Sequence, residues 1–138
     1  MIGVLVVTHG SIGEALLTSA AQILGEAPAQ VATLSVWRQD DPDDLVLRAR
    51  ELLETLDAGD GVLVLTDIFG ATPGNVVSRL LEDGRVEGVS GASLPMLLRV
   101  LTSRNGSAGN KLSAAVQRAI SGGSEGVVHM NSDRCCDA

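Results

Sequence analysis

The chain has 138 residues, 45% of them hydrophobic, only Trp37 and Phe69 as aromatics, and a net charge of −7. That length suits one domain with a core of its own. The negative balance and the want of a stacking platform exclude ordinary nucleic-acid binding, and no apolar run approaches the roughly 20 residues of a membrane span. The start, M-I-G-V-L-V-V-T-H-G, lacks the basic segment and cleavage site of a secretory signal.

Ile2 to Val7 is short, apolar and rich in β-branched residues, the pattern of a strand buried on both faces. It ends at Thr8-His9-Gly10, and helical spacing follows from Ser11 to Gly25, with Ile12, Leu16, Ala20, Ile23 and Leu24 on one face. Gly25 and Pro28 supply the stop. Val31 to Val36 is a second strand, with Trp37 at its end. The carboxylates of R-Q-D-D-P-D-D-L invite a metal reading, but helix initiation accounts for them better. Asp41 is placed to cap a helix that begins at Pro42, with Asp43 and Asp44 near its positive end. That helix runs to about Asp57.

Val62 to Thr66 is a third buried strand, ending in T-D-I-F-G-A-T-P-G-N. Thr72 before Pro73 reads as an N-cap, and the helix is expected to continue to Gly84. Val86 to Ser90 is a short strand. Ser93-Leu94-Pro95 starts a helix, Met96 to Arg104, apolar on more than one side. Such a helix is deeply buried or lies between subunits, and its place at the edge of a small domain favours the interface and a homodimer. R-N-G-S-A-G-N is a loop, Lys111 to Ser121 a last helix, and Gly126 to Met130 a possible final strand. Residues 131–138 read as a flexible tail after a domain over 1–130. The adjacent Cys135 and Cys136 in that tail fit neither a staple nor a C-x-x-C site, and a reducing cytoplasm is expected.

Alternating strands and helices predict an α/β fold with a mainly parallel sheet. The flavodoxin-like three-layer order 2-1-3-4 makes the first and third strands neighbours at the switch point, where ligands bind. His9 and Asp67 then stand side by side. A carboxylate that accepts the Nδ1 proton of an imidazole leaves Nε2 outward as a nucleophile. Ser11 and Thr8 are candidate hydroxyl nucleophiles, but G-x-S-x-G is absent. One His and one Asp are too few for a metal, so neither metal nor cofactor is expected. His129 reads as structural. Both loops, Gly10-Ser11-Ile12-Gly13 and Ala71-Thr72-Pro73-Gly74, feed helix N-termini that attract phosphate. A nucleophilic imidazole beside such a cradle suggests a phosphoryl group carried on His9. Phe69 has two readings, packing beneath its loop or contacting a partner beside His9.

V-V-T-H-G, T-D-I-F-G-A-T-P-G-N-V-V-S-R and G-A-S-L-P-M-L together resemble the mannose-type enzyme IIA domain of the phosphoenolpyruvate-dependent sugar phosphotransferase system, over about residues 1 to 130. The resemblance implies a domain that takes phosphate from an HPr-like carrier and hands it to a IIB-type domain. The phosphorylated histidine falls on His9, its carboxylate partner on Asp67, and the loop hydroxyl on Thr72. Gly10 and Ser11 complete the expected phosphoryl site. The family further implies a homodimer with an exchanged C-terminal strand, which suits Gly126 to Met130, and a membrane met only through a transporter complex. Phe69 stands where members often carry Trp, and no IIB domain follows, so the acceptor is expected on a separate chain. Two alternatives stand beside this. One is a regulatory module whose partner binding depends on His9 phosphorylation; the other, a phosphocarrier subunit of dihydroxyacetone kinase.

Overall fold

A computed structural model describes residues 1–104 and 111–133. The elements in chain order are β1 (Gly3–His9), α1 (Ile12–Leu24), β2 (Val31–Val36), α2 (Pro42–Leu56), β3 (Val62–Thr66), α3 (Thr72–Ser78), β4 (Val86–Ser90), α4 (Leu94–Ser103), α5 (Leu112–Glu125) and α6 (Met130–Asp133). The four strands form one sheet in the order β2-β1-β3-β4. Every pairing within it is parallel, as the βαβ alternation requires. The fold is therefore the expected α/β sandwich.

The period-2 alternation of strand side chains divides the core into two layers. Leu5 and Val7 of β1, with Val62 and Val64 of β3, pack under Leu45, Val46 and Ala49 of α2 and Val76, Val77 and Leu80 at α3. Ile2, Val4, Val6, Leu63 and Leu65 face the other way, onto Ala20 of α1, four residues of α4 and three of α5. Because β1 and β3 are covered on both faces, their sequences read as unbroken apolar runs. Each fully buried Val or Leu contributes about 2 kcal/mol.

The caps show which expectations hold. The Asp41 carboxylate accepts the Asp43 N–H at 3.0 Å, with Pro42 as the first helical residue. Ser93 accepts the Met96 N–H and starts α4. At α3 the N-cap is Ala71, not Thr72, and no side chain caps it. Thr72 is the first helical residue instead. That helix also stops at Ser78 rather than Gly84, because Leu80 and Arg79 turn the chain into the Glu82–Val86 bridge that leads to β4.

The apolar girth of α4 is used within the chain. Met96, Leu97, Val100 and Leu101 are buried in the second core layer, with Leu94 and Leu98 packed against it. Burial within the chain accounts for these residues. α5 runs four residues past the expected Ser121, to Glu125. Gly122 does not break it, because the glycine serves close packing. A Cβ there would stand 2.8 Å from the Arg99 Cβ of α4. The expected final strand is absent from the described residues: 126–129 join no sheet, and Met130 begins the short α6. Residues of the R-N-G-S-A-G-N loop after Arg104, and Cys135 and Cys136, lie outside the described residues.

Candidate functional site

β1 ends at His9, whose register partner is Val36 at the end of β2. β3 ends one residue before Asp67. The β1–β3 register aligns Val7 with Thr66, so the two strands release His9 and Asp67 at one edge. His9 Nδ1 and Asp67 Oδ2 are 2.8 Å apart. The same oxygen accepts the backbone N–H of His9 at 3.0 Å, and Oδ1 accepts the Ile68 N–H at 3.0 Å. The carboxylate thus grips both the ring and the strand end from which the ring projects.

The two partners differ in exposure. The His9 side chain is 49% accessible and that of Asp67 12%. Burial pushes the Asp67 carboxyl up, but hydrogen bonds from the His9 ring and amide, with the ring's charge when protonated, outweigh it. The carboxyl is held below its ordinary 3.8. A carboxylate ionised in this way keeps the proton on Nδ1 and leaves the Nε2 lone pair facing outward.

The turn after His9 has its own supports. Gly10 is left-handed at φ +49°, and its N–H is committed to the Val36 carbonyl at 2.9 Å. Thr8 is fully buried, and its Oγ1 accepts the Gly13 N–H at 2.8 Å. It therefore holds the first turn of α1 and is unsuited to be a nucleophile. Ser11, the N-cap of α1, is exposed and makes no side-chain cap bond. Thr72 is exposed at the start of α3.

Phe69 is 82% exposed, which removes the reading in which it packs beneath its loop. Ile12, Trp37 and Ile68 are exposed apolar neighbours in sequence of the two site loops and the end of β2. The contact of Trp37 with the Gly10 turn escaped sequence reasoning. A Cβ on Gly10 would meet the indole Cζ3 at 3.3 Å. The available signal was a large aromatic at the end of the strand paired with β1. His129 lies far along the chain after α5, where its Nδ1 is 2.7 Å from the Ser132 hydroxyl. Among the described residues no group of three or more His, Cys, Asp or Glu is arranged to hold a metal ion.

Residues 3–117 match the family model EIIA-man, "PTS system fructose IIA component". The "PTS system mannose-specific EIIAB component" of Escherichia coli strain K12 is 32% identical over 127 residues, covering 91% of this chain and 38% of that protein. The chain thus spans well under half the length of that relative. The "PTS system fructose-specific EIIA component" of Bacillus subtilis is 33% identical over 105 residues, 75% of this chain and 71% of that protein. The crystal structure of a phosphotransferase system component EIIA from Streptococcus agalactiae superposes with a TM-score of 0.82 at 26% identity, covering 96% of this chain and 99% of that one. From the matched span and this shared architecture, the chain belongs to the EIIA-man family of phosphotransferase system IIA components.

Proposed function

We propose that this protein is a phosphocarrier that accepts a phosphoryl group on His9 Nε2 from an HPr-like phosphohistidine and passes it to a IIB-type acceptor on a separate chain. Family membership supports a role in a sugar phosphotransferase system. The observation that carries the finer reading is the 2.8 Å contact between His9 Nδ1 and Asp67 Oδ2. It turns a half-exposed imidazole into an oriented nucleophile. As the Nε2–P bond forms, the donor's N–P bond breaks and its electron pair returns to the donor imidazole. The Nδ1 proton stays between the ring and Asp67, which stabilises the positive charge the ring develops. Discharge to the acceptor reverses these steps.

The Ser11 and Thr72 hydroxyls, exposed at the starts of α1 and α3, receive the phosphoryl oxygens. Gly10 contributes the turn that brings Ser11 round, since its own amide is spent on Val36. Ile12, Ile68 and Phe69 offer apolar contact to the docking partners. The protein acts as a homodimer in this reading, with segment 126–130 laid against the partner; the exposure of Val127, Val128 and Met130 supports it.

The test is transfer of labelled phosphate from phosphoenolpyruvate through enzyme I and HPr, followed by peptide mapping. The label is expected on the His9 peptide, labile to acid and stable to alkali. His9→Ala should take none, and a variant that still labels overturns the assignment.

A further inference from the structure

The Gly10 turn leads from His9 into α1, and a side chain from just past the end of β2 covers it. A Cβ built on Gly10 would lie 3.3 Å from Cζ3 and 3.5 Å from Cη2 of Trp37, so the six-membered edge of the indole faces the side of Gly10 where a Cβ would stand. The backbone that carries the indole is itself held. The Trp37 backbone N–H donates to Asp40 Oδ2 at 2.8 Å, and the Asp40 N–H donates back to the Trp37 carbonyl at 3.0 Å. That closed turn fixes the backbone just past the end of β2, where Val36 receives the Gly10 N–H. The residue remains 51% exposed and joins neither core layer. Its apolar body is spent on the turn.

Glycine moves between left- and right-handed backbone at little cost, so Gly10 at φ +49° needs something outside itself to stay there. The Thr8 hydroxyl restrains the turn from the α1 side. From the β2 side the Val36 carbonyl holds the Gly10 N–H, and the indole adds a steric restraint over the turn. We propose that Trp37 is a positioning residue for His9: by lying over Gly10 it keeps the turn left-handed and the ring seated on Asp67. Only the kinetic part of the test rests on the phosphocarrier reading.

The experiment compares wild type, Trp37→Ala and Trp37→Phe by two readouts. The first is kcat and KM for phosphoryl transfer from charged HPr. The second is the proton NMR signal of His9 Nδ1–H, whose protection from solvent reports the ring's seat on Asp67 without any phosphate. Trp37→Ala should lower kcat about 10-fold, the scale expected of a sub-ångström misplacement, with KM changed by less than about twofold. The slowly exchanging Nδ1 proton signal should be lost. Trp37→Phe, which still places a ring over the turn, should restore both. A rise in KM with kcat and the proton signal unchanged would make Trp37 a partner contact and overturn the proposal, as would no change in either. If Trp37→Ala does not fold, Trp37→Leu keeps apolar bulk without a ring to cover Gly10, and the same outcomes decide. Should wild type take no phosphate at all, the phosphocarrier reading fails and the proton signal alone decides for or against Trp37.

Discussion

The two ends of the sheet each hold a charged side chain against backbone, with opposite results. At the carboxyl end Asp67 accepts two backbone N–H groups and leaves His9 half open to solvent. At the amino end Arg104, the C-cap of α4, is 3% exposed. It donates to the carbonyls of Ile2, Ala29 and Gln30, which lie just before β1 and β2. Burial pushes the guanidinium down from its ordinary value, yet arginine stays charged throughout the working range. One end is a sealed latch joining the α4 terminus to two strand entries. The other is an open cradle whose carboxylate is arranged around the half-exposed ring proposed to carry phosphate. In the proposed reading the chemistry is lodged at the carboxyl edge alone, and a variant of the amino-end latch should leave it untouched.

Arg104→Met gives the largest expected change in stability. It strips several carbonyls of their donor in a buried place, and should cost about 3 kcal/mol in urea denaturation. Phosphoryl uptake by the folded fraction should be unaltered. A slowed transfer rate at full folding would break the separation of the two ends.

Asp67→Asn should do the reverse. The fold should persist, while transfer slows about 100-fold because the amide no longer enforces the reactive tautomer. The acid limb of the stability curve sharpens this. The folded carboxyl is lowered below 3.8, so the unfolded chain binds more protons in the acid range. The carboxylate's contribution is complete above the unfolded value and is lost as pH falls through the lowered folded one. Asp57, lowered by the Gly59 and Gly61 amides, behaves alike and is kept in both proteins. Thermal denaturation from pH 5 downward should therefore show a shallower acid loss in Asp67→Asn than in wild type. Parallel curves would remove the carboxylate's grip as a source of stability.

Thr8→Val carries the smallest expected effect. It keeps the shape under α1 but strands the Gly13 N–H, at about 1 kcal/mol. Because the same hydroxyl restrains the turn after His9, a small loss of transfer rate should accompany it. Equilibrium melts paired with transfer rates check both.

Much of this was legible in the chain. Unbroken apolar runs separated by helical stretches dictated parallel strands, and handed crossovers then left few orders. The meeting of His9 and Asp67 followed from adjacency of the first and third strands. What escaped depends on groups brought together by the finished fold. Arg104 only closes a helix in the sequence; its burial required residues 29 and 30 to arrive beside it. The last helix is expected to stop at Ser121, yet it runs on through Gly122 and Gly123, where α4 lies close enough to demand a missing Cβ. Val127 and Val128 have strand chemistry, but within one chain they join no strand. The contact of Trp37 with Gly10 joins the turns that follow two paired strands, and only the aromatic at the end of the second hints at it.

The bond from Asp67 Oδ2 to the His9 backbone has a consequence for traffic. An imidazole hydrogen-bonded at its ring and tied at its root has one resting place. In the proposed phosphocarrier reading, donor and acceptor then come in turn to one nitrogen, and each blocks the other while it is there. The proposed carrier would run as a strict shuttle: the first visitor has to leave before the second can arrive.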